Sequence, residues 1–239
     1  MLTIFGLHGL GPPPESTPAD ERRYWVPVDL FRALVERLRG RPDVRFSFDD
    51  GLDTDRYVAL PVLRETGTRA HFFVLVGRLD TPGHLRRDDV LRLREAGMVI
   101  GSHGMHHRRW PVLGEAALTE ELVEARERLA HLLGEPVNEI AIPFGSYDRY
   151  VLRRLRELGY GPVYTSDGGR SEAGRWLHPR TTVTADSRVD DLLVLVEHGE
   201  SLPLRLVRAA KRCWKRSRRI RTRPGIDPRR FGTTFDASH

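Results

Sequence analysis

Two adjacent carboxylates, Asp49 and Asp50, directly follow an apolar run at residues 44–48 that is typical of a buried strand. Charged groups at such a place cost free energy unless a ligand or an opposite charge uses them. Gly51 allows a sharp turn, so both carboxylates can be directed at one point. One carboxylate can then bind a metal ion, while the other accepts a proton from the bound water.

A second set of chemically able residues is the histidine cluster His103, His106 and His107. His103 and His107 are four residues apart and would share one face of a helical turn, whereas His103 and His106 offer a second register. The residues alone leave both registers open, and a solvated loop would explain the histidines equally well. Combined with one carboxylate, two imidazoles form a site that suits Zn²⁺, and also Co²⁺, Mn²⁺ or Fe²⁺.

The elements that must position these residues alternate along the chain. Repeated strand–helix units predict a parallel sheet with helices outside, here an α/β fold with a distorted (β/α) barrel of about seven strands in a single domain. Catalytic groups of such barrels lie where strands end, and His8, Asp49 and His103 occupy those places. We predict strands at residues 2–7, 44–48, 71–76, 98–100, 139–142, 163–165 and 181–183. We predict helices at residues 30–38, 57–63, 88–96, 118–133, 147–158, 189–196 and 204–214.

The basic charge is concentrated at the carboxyl terminus. The net charge is +6, and residues 205–239 are rich in Arg and Lys but contain only Asp227 and Asp236 as acidic residues. We therefore divide the chain into a barrel at residues 1–201 and a basic amphipathic helix with a flexible tail at residues 202–239. The helix could pack its apolar face on the barrel, or make peripheral contact with an anionic membrane. The positive charge would also favour nucleic-acid binding, but the sequence contains no nucleic-acid recognition motif.

Cellular location is predicted from what the sequence lacks. No apolar run is long enough to span a bilayer, and residues 2–7 form a strand-like run without the basic start of a signal peptide. Cys213 is the only cysteine, which excludes an internal disulfide and suits a reducing compartment. We expect a cytoplasmic protein, with the basic tail as its means of reaching a membrane surface.

Three ordered segments, residues 47–51, 103–107 and 141–145, resemble the signatures of the polysaccharide deacetylases, carbohydrate esterase family 4. The resemblance extends from about residue 2 to residue 183. It implies a barrel fold, one divalent metal ion, and hydrolysis of the N-acetyl group of an acetamido sugar to acetate and a free amine. The sugar would belong to an oligosaccharide, a glycolipid or a small glycoside.

The resemblance also implies a role for each matching residue. Asp49 would be the general base, and the metal ligands would be Asp50, His103 and His107, so that His107 is favoured over His106. The backbone N–H of Phe144, in the third signature with Pro143, would stabilise the oxyanion.

The chain departs from the family pattern at two places. The third signature usually begins with an arginine that holds the catalytic aspartate, but this chain has Ala141 there, and we take Arg180 as its replacement. A late strand with a Leu-x-His signature, which normally supplies the acid, is not evident. We assign the general acid to His8, as though the last barrel strand had moved to the amino terminus, with Leu7 beside the acetyl methyl group.

Two other readings of the same residues stay open. One is an amidase that acts on a non-sugar amide or a cyclic ureide, although such relatives tend to lose the aspartate present here as Asp49. The other is a barrel that has lost catalysis and only binds a sugar. Bound metal separates the second reading from an enzyme, because a binding module has no need of a ligand set.

Overall fold

A nearly closed, barrel-like sheet dominates the computed structural model, which describes residues 1–218. Its longer strands follow from runs of apolar and β-branched residues, most of which are buried. The strands are β1 Leu2–Leu7, β2 Val44–Phe48, β3 Ala70–Val74, β4 Val99–Ser102, β5 Ile140–Ala141, β6 Val163–Thr165, β7 Arg170–Ser171, β8 Leu177–Pro179 and β9 Thr181–Thr182.

The ring is closed by one interrupted strand. Each of β1 to β5 pairs in parallel with the next strand along the chain, and β6 pairs in parallel with β8. Only Arg180 separates β8 from β9, and β9 pairs in parallel with β1, while β7 lies antiparallel on β1. The predicted barrel is therefore confirmed, and its first strand neighbours its last.

The helices surround the sheet and cover its outer face. They are α1 Val28–Arg37, α2 Leu60–Thr66, α3 Arg87–Glu95, α4 Glu115–Thr119, α5 Ala125–Leu133, α6 Arg149–Glu157, α7 Val189–His198 and α8 Leu202–Ser217. Helix α1 is amphipathic and buries Phe31, Leu34 and Val35. Gly67 and Gly134 end α2 and α5 with φ values of 66° and 68°, which residues with a Cβ rarely adopt.

Strand alternation divides the core into an outer and an inner layer. In β3, Phe72 and Val74 pack with the helices, whereas Phe73 packs inside the barrel with Ile4 and Ala141. Successive side chains of a strand point to opposite faces, so each barrel strand serves both layers. The inner positions are the ones that can carry polar groups towards a site.

Two details differ from the sequence predictions. The predicted helix at residues 57–63 is confirmed, but it begins earlier, as a π-helical turn at Asp55–Ala59, and continues through α2, where Pro61 lies in the first turn and no N–H is needed. The last part of the barrel sequence contains two short strands that we did not predict, β7 and β8, and β8 carries His178. The sequence of β8, Leu-His-Pro, contains a single aliphatic residue and a proline, so it lacks the apolar run from which the other short strands were predicted.

Helix α8 confirms the helix predicted at residues 204–214. Its side chain Lys215 contacts Asp167 at the end of the barrel, so the division at residue 201 stays a prediction. The predicted flexible tail lies, beyond Arg218, outside the described residues. Among the helices of residues 1–218, none combines the length and hydropathy needed to cross a bilayer.

Candidate metal and catalytic site

The end of β2 places the two aspartates. The Asp49 N–H donates to the carbonyl of Leu7 at 2.9 Å, which extends the β1–β2 ladder by one residue. The backbone then turns sharply, with φ values of 74° at Asp50 and 66° at Gly51. Asp49 is buried, and Asp50 is partly exposed at the same end of the barrel.

The histidine segment is a loop after β4, so His103 and His107 do not meet on the face of a helical turn, as their spacing would allow. The His103 N–H donates to the carbonyl of Val74 at 2.9 Å, and the chain then leaves the sheet through Gly104, whose φ is 87°. His107 also has a positive φ, 57°. The rings of His103 and His107 nevertheless meet, with centroids 5.3 Å apart.

Glu121, a residue that we missed in the sequence, explains this loop conformation. Its fully buried carboxylate accepts the N–H of Met105 at 2.8 Å, the N–H of His106 at 3.1 Å and Arg108 Nε at 2.6 Å. A Cβ at Gly104 would lie 2.3 Å from Glu121 Oε2. A signal existed, because a charged residue occupies a core-facing position of the predicted amphipathic helix at residues 118–133.

Asp50, His103 and His107 converge as a ligand set. Asp50 Oδ1 lies 3.5 Å from Nε2 of each histidine, and one ligand atom from each residue lies within 4.8 Å of the others. Asp50 Oδ1 is buried and has no hydrogen-bond partner in the described part of the chain. His103 Nδ1 is 2.9 Å from the carbonyl of Ala141, so it donates there and leaves Nε2 for a ligand.

These donors fit a divalent metal ion. Two imidazole nitrogens and one carboxylate oxygen are a common ligand set for catalytic zinc, and a buried oxygen without a partner is expected where an ion completes the site. His106 is directed elsewhere, since its Nε2 lies 3.0 Å from Glu120 and its side chain is half exposed. The structure thus brings His107 to Asp50, and His106 does not join them.

The protonation states also suit metal binding. Burial lowers the pKa of His107 to about 4, although Asp50 opposes this change. Burial by itself would raise the pKa of Asp50, but His107, His8 and His103 lower it overall. Near neutral pH, His107 is therefore neutral and Asp50 is ionised, which is the state that a ligand set requires.

Arg180 holds Asp49 through a bidentate ion pair. Its Nη1 and Nη2 donate to the two oxygens of Asp49, each at 2.6 Å, and Nη1 also donates to Ser47 Oγ at 3.0 Å. Both partners are almost completely buried. Burial would raise the pKa of Asp49, but the guanidinium lowers it well below its usual range. Arg180 therefore contacts Asp49, as we expect of a residue that replaces the family arginine absent at Ala141.

His8 lies at the same end of the barrel as the aspartates. It lines one cavity together with Asp49, Asp50 and both candidate histidine ligands. His8 Nδ1 is buried without a hydrogen-bond partner in residues 1–218, and its ring centroid lies 5.2 Å from that of Tyr24. His178 instead bonds Ser171 at 2.8 Å, and its pKa is lowered by burial. Geometry is consistent with His8 as the acid, and that role stays a prediction.

The cavity has a volume of about 520 Å³ and combines flat apolar walls with cations. Tyr24, Trp25 and Phe144 contribute aromatic rings, and Arg78 and Arg109 contribute guanidinium groups. The Phe144 ring lies 4.2 Å from that of His107, and the Arg109 guanidinium lies 4.4 Å from the Phe144 centroid. We missed Trp25 and Arg109 because neither belongs to a motif.

Two predicted substrate contacts are not at this cavity. Leu7 is fully buried in the outer core layer, because consecutive residues of a strand face opposite sides and its successor His8 faces the cavity. Pro143 is buried as well, and only Phe144 of that pair reaches the cavity wall. The placement of Leu7 beside an acetyl group and of Pro143 in the substrate site is therefore corrected.

Backbone strain is concentrated at the cavity. Within residues 1–218, the non-glycine residues with positive φ are Asp50, Asp80, His107 and Phe144, and all except Asp80 line it. Such conformations cost about 1–3 kcal/mol each and persist where the surrounding structure enforces them. Here they turn a carboxylate, an imidazole and an N–H donor out of the regular strand directions.

The sequence profile of the polysaccharide deacetylase family matches residues 37–163. The chain is 27% identical over 128 residues to the peptidoglycan-N-acetylmuramic acid deacetylase PdaA of Bacillus subtilis, an alignment that covers 52% of this chain and 46% of PdaA. The chain spans about half the length of the curated relatives it matches.

Solved structures share the fold. The deacetylase PplD of Streptococcus pyogenes, solved with acetate, superposes with a TM-score of 0.72 at 20% identity, over 82% of this chain and 98% of that one. IcaB of Ammonifex degensii superposes with a TM-score of 0.70 at 20% identity, over 82% of this chain and 97% of that one. At this level of identity the likeness establishes the deacetylase barrel and nothing finer.

Proposed function

The chain belongs to the polysaccharide deacetylase family, and we propose that it is a metal-dependent hydrolase that removes the N-acetyl group from an acetamido sugar. The products are acetate and a free amine. One observation carries the proposal: Asp50 Oδ1, buried and without a hydrogen-bond partner, lies 3.5 Å from the Nε2 atoms of His103 and His107. The neighbouring carboxylate of Asp49 provides a base beside this ligand set.

Asp50, His103 and His107 would hold one divalent ion, with Zn²⁺ favoured and Co²⁺, Mn²⁺ or Fe²⁺ compatible with the same donors. When bound, the ion supplies Lewis-acid and water-activating chemistry. The Asp49 carboxylate, kept ionised by Arg180, accepts the proton of the attacking water. The bidentate contact also prevents the carboxylate from rotating towards another partner.

Amide hydrolysis also needs a proton at the departing nitrogen, since an amine anion is a poor leaving group. His8 faces the cavity from the end of β1, the strand that pairs with both β2 and β9, and we assign this proton to its imidazole. The backbone N–H of Phe144 would stabilise the negative charge that develops on the acetyl oxygen.

An acetamido sugar is the substrate class that the cavity favours. Tyr24, Trp25 and Phe144 give apolar surfaces on which the carbon-bound hydrogens of a sugar ring can pack. The related PdaA is named for an acetamido sugar, which supports the same class here. Asp49 argues against an amidase for cyclic ureides, and the assembled ligand set argues against an inert sugar-binding barrel. A cytoplasmic location stays a prediction.

The metal site is tested with a matched pair of histidine variants. Purified wild type and His106→Ala should contain about one zinc per chain, whereas His107→Ala should lose it, because only His107 reaches Asp50. Elemental analysis after dialysis against trace Zn²⁺ measures this. Equal metal content in all three proteins would contradict the ligand assignment.

Activity is tested by acetate release from a panel of N-acetylated oligosaccharides and glycosides, with non-sugar acetamides and a cyclic ureide as comparisons. We expect release only from the sugars, and loss of release in a chelator with recovery on adding metal. Release from non-sugar amides alone would favour the rival amidase. Metal binding without any release would favour a binding module.

The assignment of the acid is tested with His8→Ala. We expect normal metal content and a loss of turnover of about 10²–10⁴-fold, which is typical for removal of a general acid. If turnover were unchanged, we would assign delivery of the proton to Asp49 instead of His8. Loss of metal would show that His8 contributes to the ligand set.

A further inference from the structure

Helix α8 turns its apolar side chains to solvent. Leu206 is 70% exposed, Val207 is 65% exposed and Trp214 is 57% exposed, and Leu202 and Ala210 are exposed as well. With 3.6 residues per turn, these five positions form one continuous face of the helix. An amphipathic helix on a barrel ordinarily buries such a face. Here, no part of residues 1–218 covers it.

The opposite face is attached to the barrel by polar contacts. Lys215 is buried, and its Nζ donates to Asp167 Oδ1 at 2.5 Å and to the carbonyl of Gly145 at 2.8 Å. Arg208 pairs with the largely buried carboxylate of Glu200. Rotating the helix to bury its apolar face would leave the charge of Asp167, which is only 1% exposed, without its ammonium partner. Breaking a buried pair in this way is strongly unfavourable, so the outward orientation is fixed.

The positive charge of α8 favours an anionic partner for its apolar face. The helix contains six basic residues and no acidic one, and Arg205, Lys211 and Arg216 are exposed along its two borders. Side chains of this kind extend towards anionic headgroups while their apolar neighbours enter the lipid. From this charge complementarity we propose that α8 docks the protein on an anionic lipid surface. At 1.5 Å per residue its 16 residues span roughly 24 Å, lying along the surface.

The contacts of Lys215 place this surface near the candidate site. Gly145 follows Phe144, and Asp167 follows Ser166, and both Phe144 and Ser166 line the cavity. Docking through α8 would therefore hold the barrel by the loops that form the cavity rim. The docking does not depend on the proposed reaction, because lipid binding requires no turnover.

Co-sedimentation of the full chain with vesicles tests the proposal. We expect binding to phosphatidylcholine vesicles that contain phosphatidylglycerol, little binding to pure phosphatidylcholine, and weaker binding as salt screens the charges. Val207→Ser should lower the partition coefficient for anionic vesicles about tenfold, because it removes one apolar side chain from the contact with lipid. Lys211→Gln should lower it about fivefold.

Val194→Ser is the matched control. Val194 is 53% exposed on helix α7, which carries Asp190, Asp191 and Glu197 and contains no Lys or Arg. Its loss should leave vesicle binding unchanged. Trp214 provides a second measurement: its fluorescence should shift to the blue on anionic vesicles, and Trp214→Phe should abolish the shift.

Three results would overturn the docking surface. They are equal binding to neutral and anionic vesicles, equal effects of Val207→Ser and Val194→Ser, and a dimer in solution that Val207→Ser converts to a monomer. Acetate release from a soluble oligosaccharide should be unaffected by Val207→Ser, so failure of the docking proposal and failure of the proposed reaction are distinguishable.

Discussion

The barrel contains two buried polar clusters that differ in one decisive respect. The carboxyl-end cluster comprises His8, Asp49, Asp50, His103, His107 and Arg180. The amino-end cluster comprises His71, Glu139, Tyr164, Ser171 and His178. An apolar layer that includes Ile4, Phe73 and Ala141 lies inside the same barrel.

The amino-end cluster satisfies its own hydrogen-bonding groups. His71 Nδ1 lies 2.8 Å from Glu139 Oε2, which also accepts Tyr164 at 3.1 Å, and His178 bonds Ser171. In the carboxyl-end cluster, Asp50 Oδ1 and His8 Nδ1 are buried and have no such partner within residues 1–218. In a structural cluster the buried donors and acceptors bond to one another, whereas in a binding site some of them have no protein partner and are left to bond to the ligand. The difference separates the two without reference to sequence motifs.

The largest expected effect is on turnover at the carboxyl end. Asp49→Asn should keep the metal but lower kcat by about 10²–10⁴-fold, because a general base is lost. Glu139→Gln, the same change of carboxylate to amide at the amino end, should leave kcat close to that of wild type. Steady-state acetate release with metal analysis measures both. Loss of metal in Asp49→Asn would make Asp49 a ligand and break the distinction between the two aspartates.

The next effect concerns the ion pair between Arg180 and Asp49. Arg180→Met should lower the free energy of unfolding by about 3–5 kcal/mol, since it leaves a buried carboxylate without its partner. Urea denaturation measures this. The double variant Arg180→Met with Asp49→Leu should recover part of the stability, and Arg180→Lys should retain more activity than Arg180→Met. Full activity of Arg180→Met would show that Asp49 needs no positioning.

A smaller loss of stability is expected at the amino end. Glu139→Gln should lower the free energy of unfolding by about 1–3 kcal/mol, because His71 loses a charged hydrogen-bond partner. Metal content should not change. If this variant lost metal, the two clusters would be coupled and the comparison between them would fail.

The smallest effect is a pH dependence of the amino-end cluster. Burial would raise the pKa of Glu139, but the hydrogen bond and charge of His71 lower it below its usual value of about 4.3. The stability from this carboxylate is therefore complete above that value and is lost as the pH falls through the lower folded-state pKa. Urea denaturation at several pH values between 3 and 6 should give a steeper loss on acidification for wild type than for Glu139→Gln. Parallel curves would contradict the lowered pKa.

The sequence by itself determined the local structure and the candidate ligand types. The apolar runs at residues 2–7 and 44–48 correspond to β1 and β2, because a buried strand is encoded by consecutive residues. Asp49 and Asp50 could be recognised as a site because two charged residues directly follow an apolar run that predicts a buried strand. The resemblance to a known family was needed to favour His107 over His106.

Only the tertiary structure decided which distant groups meet. Arg180 reaches Asp49 because the strand that ends the barrel pairs with the strand that begins it, a closure that no local pattern specifies. Glu121 fixes the histidine loop from a helix, and Leu7 is turned into the outer core although His8 beside it faces the cavity. The apolar residues of α8 could have packed on the barrel. The buried pair of Lys215 and Asp167 turns them outward, because a buried charge without its partner costs more free energy than an apolar face exposed to solvent.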